Sequence, residues 1–505
     1  MATTSITGVE SLPNEVLNDI FGFSLPPTLE ECTPDPSLAP LLLTHVCGRW
    51  RDVAQGSPRL WEQLSLKERR GNTIFVSDEE VKQEAKMMVR AYNFQLGLWS
   101  KFSGTLPLSF FFRFPLQPKN LERHTPYNLC QEFNETWKHL VITAVSAYHS
   151  RIRSLHISNG FRGFFEGQDS GNIRLPLTMP QLETLSLDIV TSRNQVVRRL
   201  SGYTSLRRVF LHPRVHVEDC DLSLYLPWQS ITHLCLFFHK YPVLHNAIFA
   251  LGSCPLLQQA TLTIRGHPSL PNFPDLWEEP VVLRHLTHLE IDHGMTQPST
   301  LYRHFEFPAL RSLTIRNTEC QRSLPADTSS PLIALSSMPK LASLIITNGQ
   351  EWFFPDNLID DLSSARNLVE LKVESKTENC DVLFKRLATD AAFLPNLEKF
   401  EFSILGEWYA PVKPVWEEFL DMVVARRDLA KASGRKWNVA LYGRKGDMRS
   451  GAQLTHPQAY IQNMMGGTPV FPLQLKRVGD SLKILDTAKT RCFLAPCPPL
   501  WVQSN

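Results

Sequence analysis

Residues 341–346 read LASLII, and residues 368–373 read LVELKV. Each is a short run of the form L-x-x-L-x-L, and the form recurs along the chain. It returns as IRSLHI from 152, LETLSL from 182, LRRVFL from 206, ITHLCL from 231, LQQATL from 257, LTHLEI from 286, LRSLTI from 310 and LEKFEF from 397. Successive starts are 24–31 residues apart. Apolar residues at a spacing of two within each run predict half-buried strands, and a constant period of this length predicts stacked repeats. Pro180, Pro255, Pro308, Pro339 and Pro395 stand two positions before five of the runs, where a preceding helix is expected to stop.

Between the runs lie NQVVRRLSGY, HNAIFALGSC, NLIDDLSSAR and DVLFKRLATDAAF, whose apolar residues fall at steps of three or four, as in helices. A strand and a helix per unit resemble a leucine-rich repeat. The resemblance implies an α/β solenoid, with parallel strands on a concave face and helices on the convex one. Where the regular repeat places Asn or Cys, this chain has Gly160, Val190, Arg214, His239, Arg265, Gly294, Thr318, Gly349, Lys376 and Leu405, so an irregular array is expected. The array is expected over 151–410, with divergent first units at 63–150. There LWEQLSL and LSFFFRF read as strands and VKQEAKMMVRAYNFQL as a helix. The stretch VWEEFLDMVVARRDLAKASGR turns Trp416, Phe419, Leu420, Val423 and Val424 to one side, giving an expected capping helix at 411–440, and a loosely packed tail is expected over 441–505.

Residues 1–62 have a different texture. In SLPNEVLNDIFGF, Pro13 suits a first helical turn, and Leu12, Val16, Leu17, Ile20 and Phe21 gather into one stripe. The proline-rich stretch SLPPTLEECTPDPSLAP predicts a loop. LLLTHVCGRWRDVAQG then predicts a second helix ending at Gly56, with Cys47 and Trp50 inward and Arg49 and Arg51 towards solvent. Three small helical pieces bury too little surface to stand alone. LPNEVLNDIF followed by VCGRWRDVAQGSPRLW resembles the F-box, in the form frequent among F-box-like proteins of mushroom-forming fungi. The resemblance implies docking on a Skp-family adaptor, and through it membership of a cullin-containing SCF ubiquitin ligase. The expected adaptor-binding residues are Leu12, Pro13, Val16, Leu17, Ile20, Phe21, Val46, Trp50, Leu60 and Trp61, with Trp61 also fastening the module to the first strand. The Pro-rich insertion departs from the short form by lengthening the loop between helices.

In a strand of this form the residues between the leucines share the concave surface. The positions expected to meet a target protein are Arg208, Phe210, His212, His233, Phe237, His288 and Glu290. His288, Glu290 and Asp292 share one strand face, which reads as an ordinary polar face and not a metal site. No nucleophile elbow, phosphate loop, dinucleotide fingerprint or zincin motif occurs, and the glycines of NGFRGFFEGQDSG are too irregularly spaced to cradle phosphate. No catalytic residue, metal or cofactor is expected, and the chain reads as a non-enzyme. The basic group Arg426, Arg427, Lys431, Arg435 and Lys436 reads as a helix end meeting solvent.

The 52 basic and 50 acidic residues leave a net charge of +2, which gives no field for nucleic acid or an anionic membrane. The apolar runs fall short of the ~20 residues needed to cross a bilayer. Scattered cysteines and an opening without a secretory pattern point to reduced thiols in the cytoplasm or nucleus. The expected function is a substrate-recognition adaptor of a ubiquitin ligase; the alternative is a scaffold that uses the same two modules without degradation.

Overall fold

The structure is a computed structural model, which describes residues 11–67, 78–114, 127–159, 176, 178–188, 200, 202–211, 226–238, 243–264, 280–293, 304–317, 335–348, 356–375, 380–404, 413–443 and 482–486. The chain divides into two compact units, one holding Met1–Phe237 and the other Phe238–Cys497. In the first, helices α1 (Asn14–Phe23), α2 (Leu41–Val46) and α3 (Gly48–Gln55) precede β1 (Gln63–Lys67). Then come α4 (Asp78–Phe102), β2 (Leu108–Phe114), α5 (Tyr127–Tyr148), β3 (Ile152–Asn159), β4 (Thr184–Asp188), β5 (Arg208–Leu211) and β6 (His233–Phe238). The strands pair in parallel in chain order, β1 to β6.

The second unit starts with α6 (Val243–Gly252), β7 (Gln259–Ile264), β8 (Val281–Val282), β9 (His288–His293), β10 (Phe305–Glu306), β11 (Ser312–Asn317) and β12 (Ser343–Asn348). It continues with α7 (Asp356–Ser363), β13 (Glu370–Ser375), α8 (Asp381–Thr389), β14 (Lys399–Ile404), α9 (Lys413–Ala432), β15 (Asn438–Gly443) and β16 (Leu482–Asp486). Its main sheet runs β7, β9, β11, β12, β13, β14, β15, β16, all parallel, while β8 and β10 form a separate short pair. The result is a helical N-terminal module followed by a long series of parallel strands with intervening helices, an α/β solenoid-like arrangement.

Every L-x-x-L-x-L run forms a strand whose apolar positions are buried, for example Leu155 and Ile157, Leu344 and Ile346, and Leu371 and Val373. The helices cover that apolar face: Phe384 of α8 meets Phe400 and Phe402 of β14 at ring-centroid separations of 6.2 and 5.1 Å. Ahead of nine of the ten runs the first apolar residue's N–H donates to the carbonyl three residues earlier, as Leu182 to Met179 and Leu341 to Met338, both at 3.1 Å. The accepting residue is itself buried: Met179, Tyr203, Trp228, Cys254, Leu283, Phe307, Met338, Ala365 and Leu394. The five recurring prolines stand second in this turn, where their restricted φ is favourable. They shape the approach to a strand, whereas the sequence suggested that they stop a helix.

The missing asparagine ladder has a counterpart at these turns. Ser205 Oγ donates to the Pro180 carbonyl at 2.6 Å, Ser230 Oγ to Leu206 at 2.7 Å, Thr287 Oγ1 to Gln258 at 3.0 Å, Asn367 Nδ2 to Pro339 at 2.7 Å and Asn396 Nδ2 to Arg366 at 2.8 Å. Each bond joins one repeat to the repeat before it.

Three expectations change. The predicted second helix is two helices, because Cys47 is extended (φ −158°) and caps α3 by accepting the Trp50 N–H on Sγ at 3.4 Å. An additional helix, α5, buries Trp137, Leu140, Val141, Ala144 and Val145; its β-branched run Val141-Ile142-Thr143 hides the helical pattern in the sequence. The strand series also does not end near 410, since α9 is the crossover into β15, where Trp437 and Val439 are buried.

Arg426 of α9 is buried, not part of a solvated helix end. Its guanidinium donates to the carbonyls of Leu387 (2.7 Å), Phe393 (2.6 Å), Asp390 (3.1 Å) and Leu394 (3.3 Å), closing the C-terminal turn of α8. Arg426→Met should therefore destabilise the fold by roughly 3 kcal/mol in urea unfolding, while Arg427→Met, on the exposed flank, should change it by less than about 0.5 kcal/mol.

Candidate functional site

The N-terminal module is assembled around two residues of α1, Leu17 and Phe21, which have no exposed surface. Phe21 packs against Trp50 of α3 with ring centroids 4.9 Å apart. Arg49 ties α3 to the start of α1, its guanidinium donating to Asn14 Oδ1 at 3.0 Å and to the Leu12 carbonyl. Arg51 Nε donates to the Thr44 carbonyl at 2.9 Å. Arg51 is exposed, as expected, and Arg49, expected to face solvent, is half-buried; both bond to backbone carbonyls. On the opposite side of α1, Val16, Ile20 and Phe23 fall at helical spacing and are 41, 44 and 90% exposed. Leu42 and Val46 of α2 are exposed as well, at 44 and 53%.

The module joins the sheet through Trp61, which is completely buried. Its ring contacts Trp99 edge-on at 5.0 Å and Phe102 at 4.8 Å, both on α4, and its Nε1–H donates to the Ala54 carbonyl of α3 at 2.8 Å. Trp99 in turn donates to the Gln63 carbonyl of β1 at 2.8 Å. The proline-rich insertion has a place of its own in this joint. The Cys32 carbonyl accepts from Ser65 N at 2.8 Å, and Glu30 pairs with Arg113 of β2 at 2.7 Å, so the insertion covers the free edge of β1. Burial pushes the Cys32 thiol up to about 12, which leaves it a packed, protonated group.

The expected docking residues therefore separate. Pro13, Val16, Ile20 and Val46 are exposed, and Leu12 and Trp50 are half-buried. Leu17, Phe21, Leu60 and Trp61 are buried within the module and cannot touch a partner without unfolding it, a correction to their expected placement. Cys47, expected inside, is exposed because it caps the break between α2 and α3. Phe23, Leu42 and Leu38, which the motif spacing did not single out, add to the exposed apolar surface.

Residues 9–67 match the family model F-box-like. The chain carries an F-box-like domain. No curated protein matches the chain. Among the described residues no helix is long and apolar enough to cross a membrane, and no group of three or more His, Cys, Asp or Glu side chains is placed to hold a metal ion.

Behind the F-box-like domain the expected partner-binding positions align across strands. Arg208 is opposite His233 and Phe210 opposite Cys235 in one unit, and His288 and Glu290 lie opposite Ser312 and Thr314 in the other. Arg208, Phe210 and Phe237 are half-buried and His288 is exposed, but His233 and Glu290 keep only 8% exposure each. Glu290 is turned into an ion pair with Arg316 at 2.8 Å, so these two sit poorly as contact residues. Burial raises the Glu290 carboxyl, partly offset by Arg316. His212 lies outside the described residues. On β13 and β14, Lys399 bridges Glu370 and Glu401 at 2.5 and 2.8 Å, and Ser343 Oγ donates to Glu370 at 3.0 Å.

His156, on β3, faces Phe111 of β2 at 6.0 Å, and desolvation lowers its imidazole to about 4. A folded-state value below the unfolded ~6.5 means that the unfolded chain takes up the proton first, so stability is lost as pH falls from about 6.5 towards 4. Urea unfolding of the native chain at pH 5 should show a loss of roughly 1–2 kcal/mol relative to pH 7.5 that His156→Gln largely removes. An equal pH slope in His156→Gln would assign the effect to other groups.

Proposed function

We propose that this chain is the substrate-recognition subunit of an SCF-type ubiquitin ligase, its F-box-like domain docking a Skp-family adaptor and its strand array holding a target protein. One observation carries the reading: within a small helical domain, Val16, Ile20 and Phe23 of α1 and Leu42 and Val46 of α2 stay exposed while their helical neighbours Leu17, Phe21 and Leu43 are buried. Apolar side chains in this number on a small module are costly to leave in water, and an apolar partner surface resolves the cost. The braced joint at Trp61 gives the array a defined attachment, which suits a subunit that acts by holding its target close to a transfer machinery. In this role the chain contributes proximity and no bond-making group of its own.

Co-expression with a Skp-family adaptor and a cullin checks the reading. The native chain should co-purify with both, and Ile20→Glu with Val46→Glu should reduce recovery by more than about tenfold, since burying two unpaired charges costs several kcal/mol. The thermal midpoint should stay near the native value, because both side chains are exposed. Undiminished recovery of the adaptor by this double variant would exclude the proposed surface. Trp61→Ala is expected to act differently, lowering the unfolding midpoint through loss of a buried ring worth ~3–5 kcal/mol while the exposed docking side chains stay in place.

A further inference from the structure

The start of α1 lacks the local support that helix starts ordinarily have. Pro13 stands at its N-cap with φ −56° and ψ 153° and makes no side-chain cap. A Ser, Thr, Asp or Asn at that place would satisfy one of the first backbone N–H groups, and Asn14 stands one position too late for it. The first backbone bond of α1 runs from Leu17 N to the Pro13 carbonyl at 3.1 Å. A helix entry with so little local support frays, which would leave Leu12 and Pro13 without a fixed place.

Arg49 supplies the support from a distance. Its Nη2 donates to Asn14 Oδ1 at 3.0 Å and to the Leu12 carbonyl, and its Nε donates to the same Oδ1 at 3.3 Å. One planar guanidinium thus spans a residue ahead of the helix and the first residue within it, 37 and 35 positions away along the chain. The fork fixes an angle as well as a distance, which a lysine ammonium cannot do. The base of the pin is itself anchored: Arg49 adjoins Trp50, whose ring meets Phe21 of α1 at 4.9 Å. Pro13 bars the preceding residue from helical backbone, so Leu12 has few conformations to choose among. Arg49 selects one of them.

We infer that Arg49 is a positioning residue for adaptor docking, acting through Leu12 and Pro13 by holding them ready for the partner. The inference deepens the docking proposed above and rests on it. Pro13 is exposed and Leu12 half-buried, and Leu12 stands four residues before Val16 and eight before Ile20, at the N-terminal end of that exposed row. A partner that meets an entry already ordered loses no affinity to ordering it. An entry in place only about a tenth of the time would bind about tenfold more weakly, since the apparent affinity scales with the competent fraction.

Biolayer interferometry of the full chain on an immobilised Skp-family adaptor tests this, with hydrogen exchange over residues 14–18 as a second readout. Arg49→Met should weaken binding about tenfold and speed that exchange by a similar factor, while the thermal midpoint stays near the native value. Arg49→Lys, which keeps one donor, should lose about threefold. A double-mutant cycle decides the route. In Leu12→Ala/Pro13→Ala the positioned side chains are gone, so adding Arg49→Met should change binding by less than about twofold. An undiminished loss in that background would mean that Arg49 acts on the whole domain or touches the partner itself, and would overturn the inference. Binding by Arg49→Met within about twofold of native would overturn it as well. Should Arg49→Met unfold the domain, the same cycle run with Arg49→Lys decides in its place, with the loss expected in the native background and absent from the Ala background. Failure of the native chain to bind the adaptor would remove the docking and the inference together, whereas native binding that does not depend on Arg49 removes the inference alone.

Discussion

A parallel strand has no hairpin to keep it in step with its neighbour, so the register between successive repeats must be set where each strand begins. Here that is done by one turn used again and again. A buried side chain such as Met179, Phe307 or Met338 anchors it, its carbonyl receives the N–H of the strand's first leucine, and a Ser, Thr or Asn reaches back to the preceding repeat. A slip by one residue would place Leu, Ile and Val on the polar face and strip the turn of both its anchor and its bond. The in-register pairing of β9 with β11, β11 with β12 and β12 with β13 follows from that local demand.

The F-box-like domain depends on the array for its own completeness. Its three helices enclose Leu17, Phe21, Val53 and Ala54, too small a core to stand alone, and Trp61 extends this core into Trp99 and Phe102 of α4. The proline-rich insertion lends its backbone to β1 at Cys32 and Ser65, so the first strand of the sheet is not left open. The side chains committed to this joint are removed from partner contact, and those left outside, Val16, Ile20, Phe23, Leu42 and Val46, define the surface on which the proposed docking rests.

Charge is distributed by position within the repeat. On the sheet face of the second unit, acids and bases pair along and across strands, as Glu290 with Arg316 and Glu370 with Lys399. Among the described residues, Arg284, Arg311, Lys340 and Arg366 of the lead-in turns form no such pair. Burial holds the Cys32 thiol protonated and lowers the His156 imidazole.

The strands of the ten L-x-x-L-x-L runs and the F-box-like domain were legible in the sequence because a spacing of two within a run, a near-constant interval between runs, and LPNEVLNDIF with VCGRWRDVAQGSPRLW are local patterns. Also legible was which side of each strand is polar. What the sequence left open was how far each side chain is covered, because cover comes from elements distant along the chain. Leu17 and Ile20 are alike in type and three residues apart, yet α3 and Trp50 bury one side of α1 and leave the other bare. Arg426 and Arg427 are adjacent, and only the arrival of the α8 carbonyls makes the first a buried structural group. The sequence by itself determined a helical F-box-like domain followed by parallel repeats; the tertiary structure alone decided which members of each apolar or charged stripe turn inward, since burial depends on what packs against a face and not on the periodicity that creates it.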